Sequence, residues 1–423
     1  MMKLTYIGAI VTLGSCLLLS GCMPEQQAVN VTKNEKSNQL IDSGNEKYTS
    51  QDRLVQFAAE SSSLMLQSKG NQVYSPVAPY LMLSLLAEGA VGATQTELFE
   101  GLYQTPTSRK TLHQFNEALL GKYLGSGDIK MANALWLDKP VKLTSPFKEL
   151  AETYYYGDIK RVPFTDNPEK AAKTISNWAK ANVGETTYDT SLIEPGFALV
   201  LLNSSHLELE WQHPFDEKLT KEEPFNGNEL KTAMMQQQFA SFPYGIGDDY
   251  LATSLPLKNG NRLQLILPNE GVDVRSLIDT KEKMLSLFWI VEDKKSKMTL
   301  SIPKFNVVSN LDLQPNLDKM GFGRAFSKKE AGFSRLSSNV SLYLGRALQT
   351  NQLSFAENQV DGAGYTQVMM PIVPEEATIA PVPPVVEEPV LEFKLNRPFI
   401  YLISDQDGVP ILQGIVDNPT LTK

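Results

Sequence analysis

Between Val360 and Phe393 the chain runs VDGAGYTQVMMPIVPEEATIAPVPPVVEEPVLEF, with six prolines (Pro371, Pro374, Pro381, Pro383, Pro384, Pro389) and four glutamates (Glu375, Glu376, Glu387, Glu388). A loop of this length inside a compact domain is usually functional or disordered. Apolar stretches that read as buried strands, FIYLI and ILQGIV, follow at once. One folded body must therefore hold the segment at both ends. No Lys or Arg occurs from Ala347 to Phe393, so a trypsin-like protease has nothing to recognise there.

The N-terminus carries one cation, Lys3, then an apolar run ending Leu19-Ser20-Gly21-Cys22. The run is short and ends in small residues, so it reads as a signal peptide rather than a spanning helix. Leu-Ser-Gly-Cys resembles the lipobox of bacterial lipoproteins, which implies lipidation of Cys22 and removal of residues 1–21. Met23 follows where an Asp would signal inner-membrane retention, so the expectation is an exported protein, lipid-anchored to the outer membrane. Cys16 and Cys22 are the only cysteines. The mature chain then has no disulfide and is held by its core alone. Residues 22–50 read as a polar tether. No linker, repeat or charge block divides residues 51–423, which are expected to form one domain. A net charge of -9 with scattered basic residues argues against nucleic acid.

Helical patterns fill the first half: LVQFAAESSSLMLQ from Asp52, the apolar YLMLSLLAEGAVGATQTELFEGL, and AAKTISNWAKANV with Ile175 and Trp178 on one face. Ser145-Pro146 opens another helix behind the strand MANALWL. From Ala198 strands dominate: ALVLLNSSHLELEW, RLQLILP, KMTLSIPKFNVVS, FIYLIS and ILQGIV. Helices early and strands late predict an α+β protein with large, mainly antiparallel sheets.

Catalytic signatures are missing. The three histidines, His113, His206 and His213, accompany no HExxH, GxSxG, CxxC or P-loop. GIG at 245–247 and GFG at 321–323 lack the third glycine of a dinucleotide fingerprint and read as turns. No metal site or cofactor is expected, and the chain reads as a non-enzyme.

Local patterns in consistent order from Asp52 to the C-terminus resemble the serpin family. They include Asn71-Gln72-Val73-Tyr74-Ser75-Pro76, Gly89-Ala90-Val91-Gly92-Ala93-Thr94 and Met131-Ala132-Asn133-Ala134-Leu135-Trp136. Leu202-Asn203, Trp211, Pro214-Phe215 and Thr220 follow, then Ile302-Pro303-Lys304-Phe305, Ala331-Gly332-Phe333-Ser334 and Asn396-Arg397-Pro398-Phe399, with Gly414 and Asn418-Pro419 at the end. The resemblance implies helices packed on three mainly antiparallel sheets, with residues of about 362–391 as an exposed reactive-centre loop. It implies a monomer that inhibits a serine (or cysteine) protease: the loop is cut, and its freed end inserts into the main sheet as a new strand.

The same resemblance assigns residues. Aligning Val360-Asp361-Gly362-Ala363-Gly364 with the family's V-D-E-x-G makes Gly362, Gly364 and Tyr365 the loop hinge. Hinge spacing puts the reactive bond at Thr378-Ile379; counting back from Asn396 lands near Val386-Glu387 instead. Small aliphatic residues there suit elastase- or subtilisin-like enzymes. Ser75, Pro76, Asn203 and Trp211 fall where the sheet must open, with Ser354 at the position of the family's central histidine. On this alignment Tyr365 is the first inward residue, and Pro371 and Pro374 lie within the inserting strand, where each removes a ladder hydrogen bond. Those misfits support an alternative: a serpin-fold binding or decoy protein whose loop does not insert.

Overall fold

The computed structural model describes residues 48–125, 127–184, 193, 197–227, 231–367 and 390–420. Cys22, Pro371, Pro374 and Thr378-Ile379 lie outside them. The described residues all belong to one compact unit, Lys33–Lys423.

The helices form where capping and periodicity call for them. α1 (Ser50–Met65) opens on a capping box, in which the Thr49 hydroxyl accepts from Asp52 N at 3.1 Å and the Asp52 carboxylate accepts from Thr49 N at 3.0 Å. α2 (Val77–Gly89) is apolar nearly all round, and every one of its residues is buried, as such a helix requires. α3 (Gly92–Gly101) and α4 (Arg109–Gly125) follow. α5 (Ser145–Tyr154) starts at Ser145-Pro146, capped by Thr144. α6 (Pro168–Val183) starts at the Asn167 cap and packs Ile175 and Trp178 against Trp136, Val200 and Leu202. α7 (Lys281–Phe288) is short.

Among the described residues, fifteen strands alternate with these helices and then dominate. They are β1 (Gln72–Tyr74), β2 (Ile129–Leu137), β3 (Gly157–Arg161), β4 (Leu199–Glu210), β5 (Lys221–Pro224), β6 (Lys231–Ile246), β7 (Tyr250–Pro256) and β8 (Arg262–Pro268). The remainder are β9 (Lys294–Pro303), β10 (Phe305–Asp312), β11 (Leu348–Phe355), β12 (Gln359–Gln367), β13 (Leu391–Lys394), β14 (Phe399–Ser404) and β15 (Pro410–Val416).

They form two sheets, where the sequence suggested three. One has six strands, in the order β10-β11-β12-β4-β2-β3; the other has nine, β1-β15-β14-β8-β7-β6-β9-β13, with β5 also on β6. The merger has a physical cause in β6. Its first part pairs with β5 and β9, a register shift between Phe239 and Phe242 bends it, and its last residues, Gly245 and Ile246, pair with β7. Both sheets are mixed: β2–β3 and β9–β13 are parallel, the other pairs antiparallel.

Residues 362–367 were expected at the start of an exposed loop. They instead lie in β12, in the interior of the six-stranded sheet.

The sheets meet face to face through aromatic rings. Phe355 of β11 lies 4.5 Å from Phe305 and 5.9 Å from both Trp211 and Tyr401. The nine-stranded sheet closes tightly at Gly414 of β15. A Cβ there would sit 2.1 Å from the Gln72 carbonyl and 2.2 Å from the Tyr401 hydroxyl. Backbone on one side and a buried ring on the other leave no room to yield. Gly414→Ala is expected to cost about 3 kcal/mol or more, read as a lower melting temperature or loss of folded protein. Gly127→Ala, with nothing within 4 Å, should leave melting unchanged.

Candidate functional site

β11 turns into β12 through Ala356, Glu357 and Asn358, and this turn is clamped from two directions. Trp211 donates from Nε1 to the Ala356 carbonyl at 2.8 Å and from its backbone N to Asn358 O at 3.4 Å. Phe215 N donates to Glu357 O at 2.9 Å. The Glu357 carboxylate accepts from Lys304 Nζ at 2.7 Å and from Thr220 Oγ1 at 2.9 Å. Burial works against its charged form, but the Lys304 ammonium, a backbone N–H and the Thr220 hydroxyl together hold it below the usual carboxylate range.

From the turn, β12 runs antiparallel to both neighbours. Val360 to Gln367 lie opposite Phe355 to Leu348 of β11, and Gln359 to Gln367 opposite Glu210 to Leu202 of β4. The pleat decides which residues face the core. Val360, Gly362 and Gly364 are buried, while Asp361 and Ala363 are half-buried. Inward positions from Val360 to Gly364 are thus even-numbered.

Glycine at the inward positions has a steric reason. A Cβ on Gly364 would lie 2.1 Å from Asn351 Oδ1, and one on Gly362 would lie 3.3 Å from Leu353 Cδ1 and 3.4 Å from Leu412 Cδ1. Gly362, Gly364 and Tyr365 are therefore strand residues. The turn that leads into them lies upstream, at Ala356, Glu357 and Asn358.

Beneath the middle of the slot lies a buried polar cluster. Gln349 accepts from Ser75 N and donates to Ser75 O, both at 2.8 Å, and its Oε1 also accepts from Asn351 Nδ2 at 2.6 Å. Asn351 Nδ2 lies 3.3 Å from Val73 O. On β4, Asn203 Nδ2 donates to Asn133 Oδ1, and Asn133 Nδ2 to the Tyr155 carbonyl, both at 2.8 Å. Pro76 is the cap residue of α2.

Ser75, Pro76 and Asn203 thus converge under the slot, while Trp211 stands at its entry. Ser354 does not join this cluster. It sits half-buried between Asn306 and Asp361, and Gln349 takes the central place. Five residues on the same strand, and the opposite parity, separate the two.

The site is a sheet position that takes a segment of polypeptide. The Serpin (serine protease inhibitor) family pattern matches residues 52–419. The chain belongs to the serpin family. An uncharacterized serpin-like protein of Thermococcus kodakarensis is 28% identical to this serpin over 364 residues, spanning 83% of this chain and 82% of the relative. Among solved structures, cleaved Serpin 42Da superimposes with a TM-score of 0.72 at 22% identity, covering 88% and 98% of the two chains. Tengpin, a thermophilic serpin in the latent state, does so at 0.70 and 23%, covering 86% and 96%. Serpins are typically serine protease inhibitors rather than catalysts, and their general partners are serine proteases.

The clamp gives a pH prediction. The folded-state pKa of Glu357 lies below its unfolded one, so its contribution is present above the ordinary carboxylate range and is lost as pH falls through the lowered value. Lys304→Met should lower the melting temperature at neutral pH and flatten its fall in acid. A variant that melts with the unchanged acid profile would show that the pair does not anchor the turn.

Proposed function

We propose that this serpin inhibits a serine protease of small or aliphatic specificity by offering residues 371–389 for cleavage and extending β12 down the six-stranded sheet. One observation carries the reading: β12 already lies in register between β11 and β4, with glycine at inward position 364, where a Cβ would meet Asn351 Oδ1.

The same register limits how far the strand can extend. Gln367 lies opposite Leu202, and β4 begins at Leu199, so three more residues can pair before the sheet ends, the last being Met370. An extension in that register would end on Met370, and flexible methionine fills irregular space. Pro371 comes next. In this proposal the prolines fall beyond the ladder and cost it no hydrogen bonds.

A second reading has its own support. β12 is seated although the chain is continuous, and β13 still pairs with β9. Cleavage at Thr378-Ile379 would also leave residues 371–378 as a tail beyond the sheet, about 26 Å when extended. A protease on so long a tail hangs clear of the body and can finish hydrolysis. The chain would then be a substrate or decoy. Membrane attachment through Cys22, on the outer membrane, belongs to the same proposal and follows from the signal sequence alone.

Incubation with elastase- and subtilisin-type proteases, resolved on denaturing gels, separates the readings. Inhibition predicts a covalent band of higher mass and a cleaved form that melts at a much higher temperature. Clean cleavage with surviving protease activity selects the decoy. Sequencing the released fragment should find Ile379 at its N-terminus. Val368→Pro, which removes a ladder position, should abolish both the band and the gain in melting temperature, whereas Pro371→Ala should leave them intact.

A further inference from the structure

A cavity of about 420 Å³ opens between the paired ends of β7 and β8 and the segment that joins β13 to β14. None of the residues lining it belongs to β4, β11 or β12, so it is separate from the slot. A volume of this size suits a small organic molecule. Its deeper wall is apolar, made by buried Tyr250 and Leu267 with half-buried Leu251. Ile246 stands at the mouth with its side chain exposed.

One charged group at this cavity lacks a counter-ion. Arg397 is half-buried and donates from Nε to the Pro268 carbonyl at 2.9 Å and from Nη1 to Asn396 Oδ1 at 3.1 Å. Both acceptors are neutral. Its Nη2 bonds to none of the described residues, and none of their carboxylates lies within ion-pair distance. Burial works against the charged form, and the Glu270 carboxylate offsets this only in part. Arg275 shows the contrast: it is bidentate to Asp417, with both bonds at 2.9 Å, and it also donates to the Ser68 and Gly70 carbonyls. Charges taken out of water are ordinarily paired. Arg397 departs from that rule. The acids at the cavity do not fill the place, because Glu270 and Glu392 are exposed on the rim, where water weakens their pull. Lys394 is already paired with Glu223.

We propose that this cavity binds a small amphipathic monocarboxylate, with its carboxylate on Arg397 and its apolar part along Leu251, Tyr250 and Ile246. A guanidinium matches a carboxylate in geometry as well as charge, and Nη2 is the donor left for it. The two rim glutamates select against a second negative charge, which disfavours dicarboxylates and phosphates. The site does not depend on whether the loop inserts, and so goes beyond the protease reading.

The test uses the full chain and phenylbutanoate as the probe, with phenylbutanol, phenylbutylamine and phenylsuccinate as matched controls. Titration calorimetry and thermal melting read the binding. The monocarboxylate is expected to bind saturably, with a Kd of about 1 mM or tighter, and to raise the melting temperature. The alcohol should bind at least about tenfold more weakly, since it loses a bond between two charged groups. Phenylsuccinate should also bind more weakly, and the amine not at all. Glu270→Gln should tighten binding of the probe severalfold, by removing a like charge from the rim. Ile246→Glu, at an exposed side chain, should abolish binding while leaving the melting temperature of the unliganded chain unchanged. Arg397→Gln should abolish it too; if that variant does not fold, Ile246→Glu and Glu270→Gln decide the question by themselves. Absence of saturable binding, equal binding of the alcohol or the amine, or binding that survives Ile246→Glu overturns the site.

Discussion

The direction of β4 and β11 governs this molecule. Each is antiparallel to β12, so they run parallel to one another. Closed on each other they would form one parallel interface, which is slightly less stable per residue than an antiparallel one. With β12 between them that single interface becomes two antiparallel ones, and every backbone group from Gln359 to Gln367 is offered a partner on either side. The sheet is thus better paired with the extra strand than without it. The core limits which strand can enter, because Asn351 beneath the slot leaves no space for a Cβ at Gly364.

The two ends of the slot are stabilised by different means. At the entry, Trp211, Phe215, Thr220 and Lys304 all hold one turn. Under the centre the contacts are amides and hydroxyls: Gln349, Asn351, Ser75, Asn203 and Asn133. Hydrogen bonds between neutral groups can be exchanged one at a time at modest net cost. The slot thus combines a firmly held turn at its entry with an exchangeable polar centre.

Much of this was legible in the chain. The apolar runs of β4, β8, β14 and β15 and the periodicity of α6 declare themselves, because burial demands those residue types. β6 did not. Its middle reads Gln236-Gln237-Gln238, polar residues tolerated where the strand is only partly buried, so no apolar alternation marks it. Its bend at Phe239 and Phe242 also joins what would otherwise be separate sheets. Gly364 enters the sequence reading only through the family pattern, whereas the fold shows it inside a strand with Asn351 Oδ1 against the place of its missing Cβ. The turn residue Glu357 owes its role to Lys304 and Thr220, more than fifty residues away in sequence. Gln349 was missed likewise, since an amide reveals its partner only once Ser75 is folded against it.

Trp211 has a use beyond packing. Its indole N–H is bonded to Ala356, at the point where β12 begins, and its ring lies against Phe355 and Phe215. The other three tryptophans lie elsewhere: Trp136 and Trp178 pack edge to face near α6, and Trp289 lies edge-on to Phe288. Any movement of the strand out of its slot must change the surroundings of one indole out of four. One indole is therefore placed to report optically on whether β12 is seated, from the fixed turn where that strand begins.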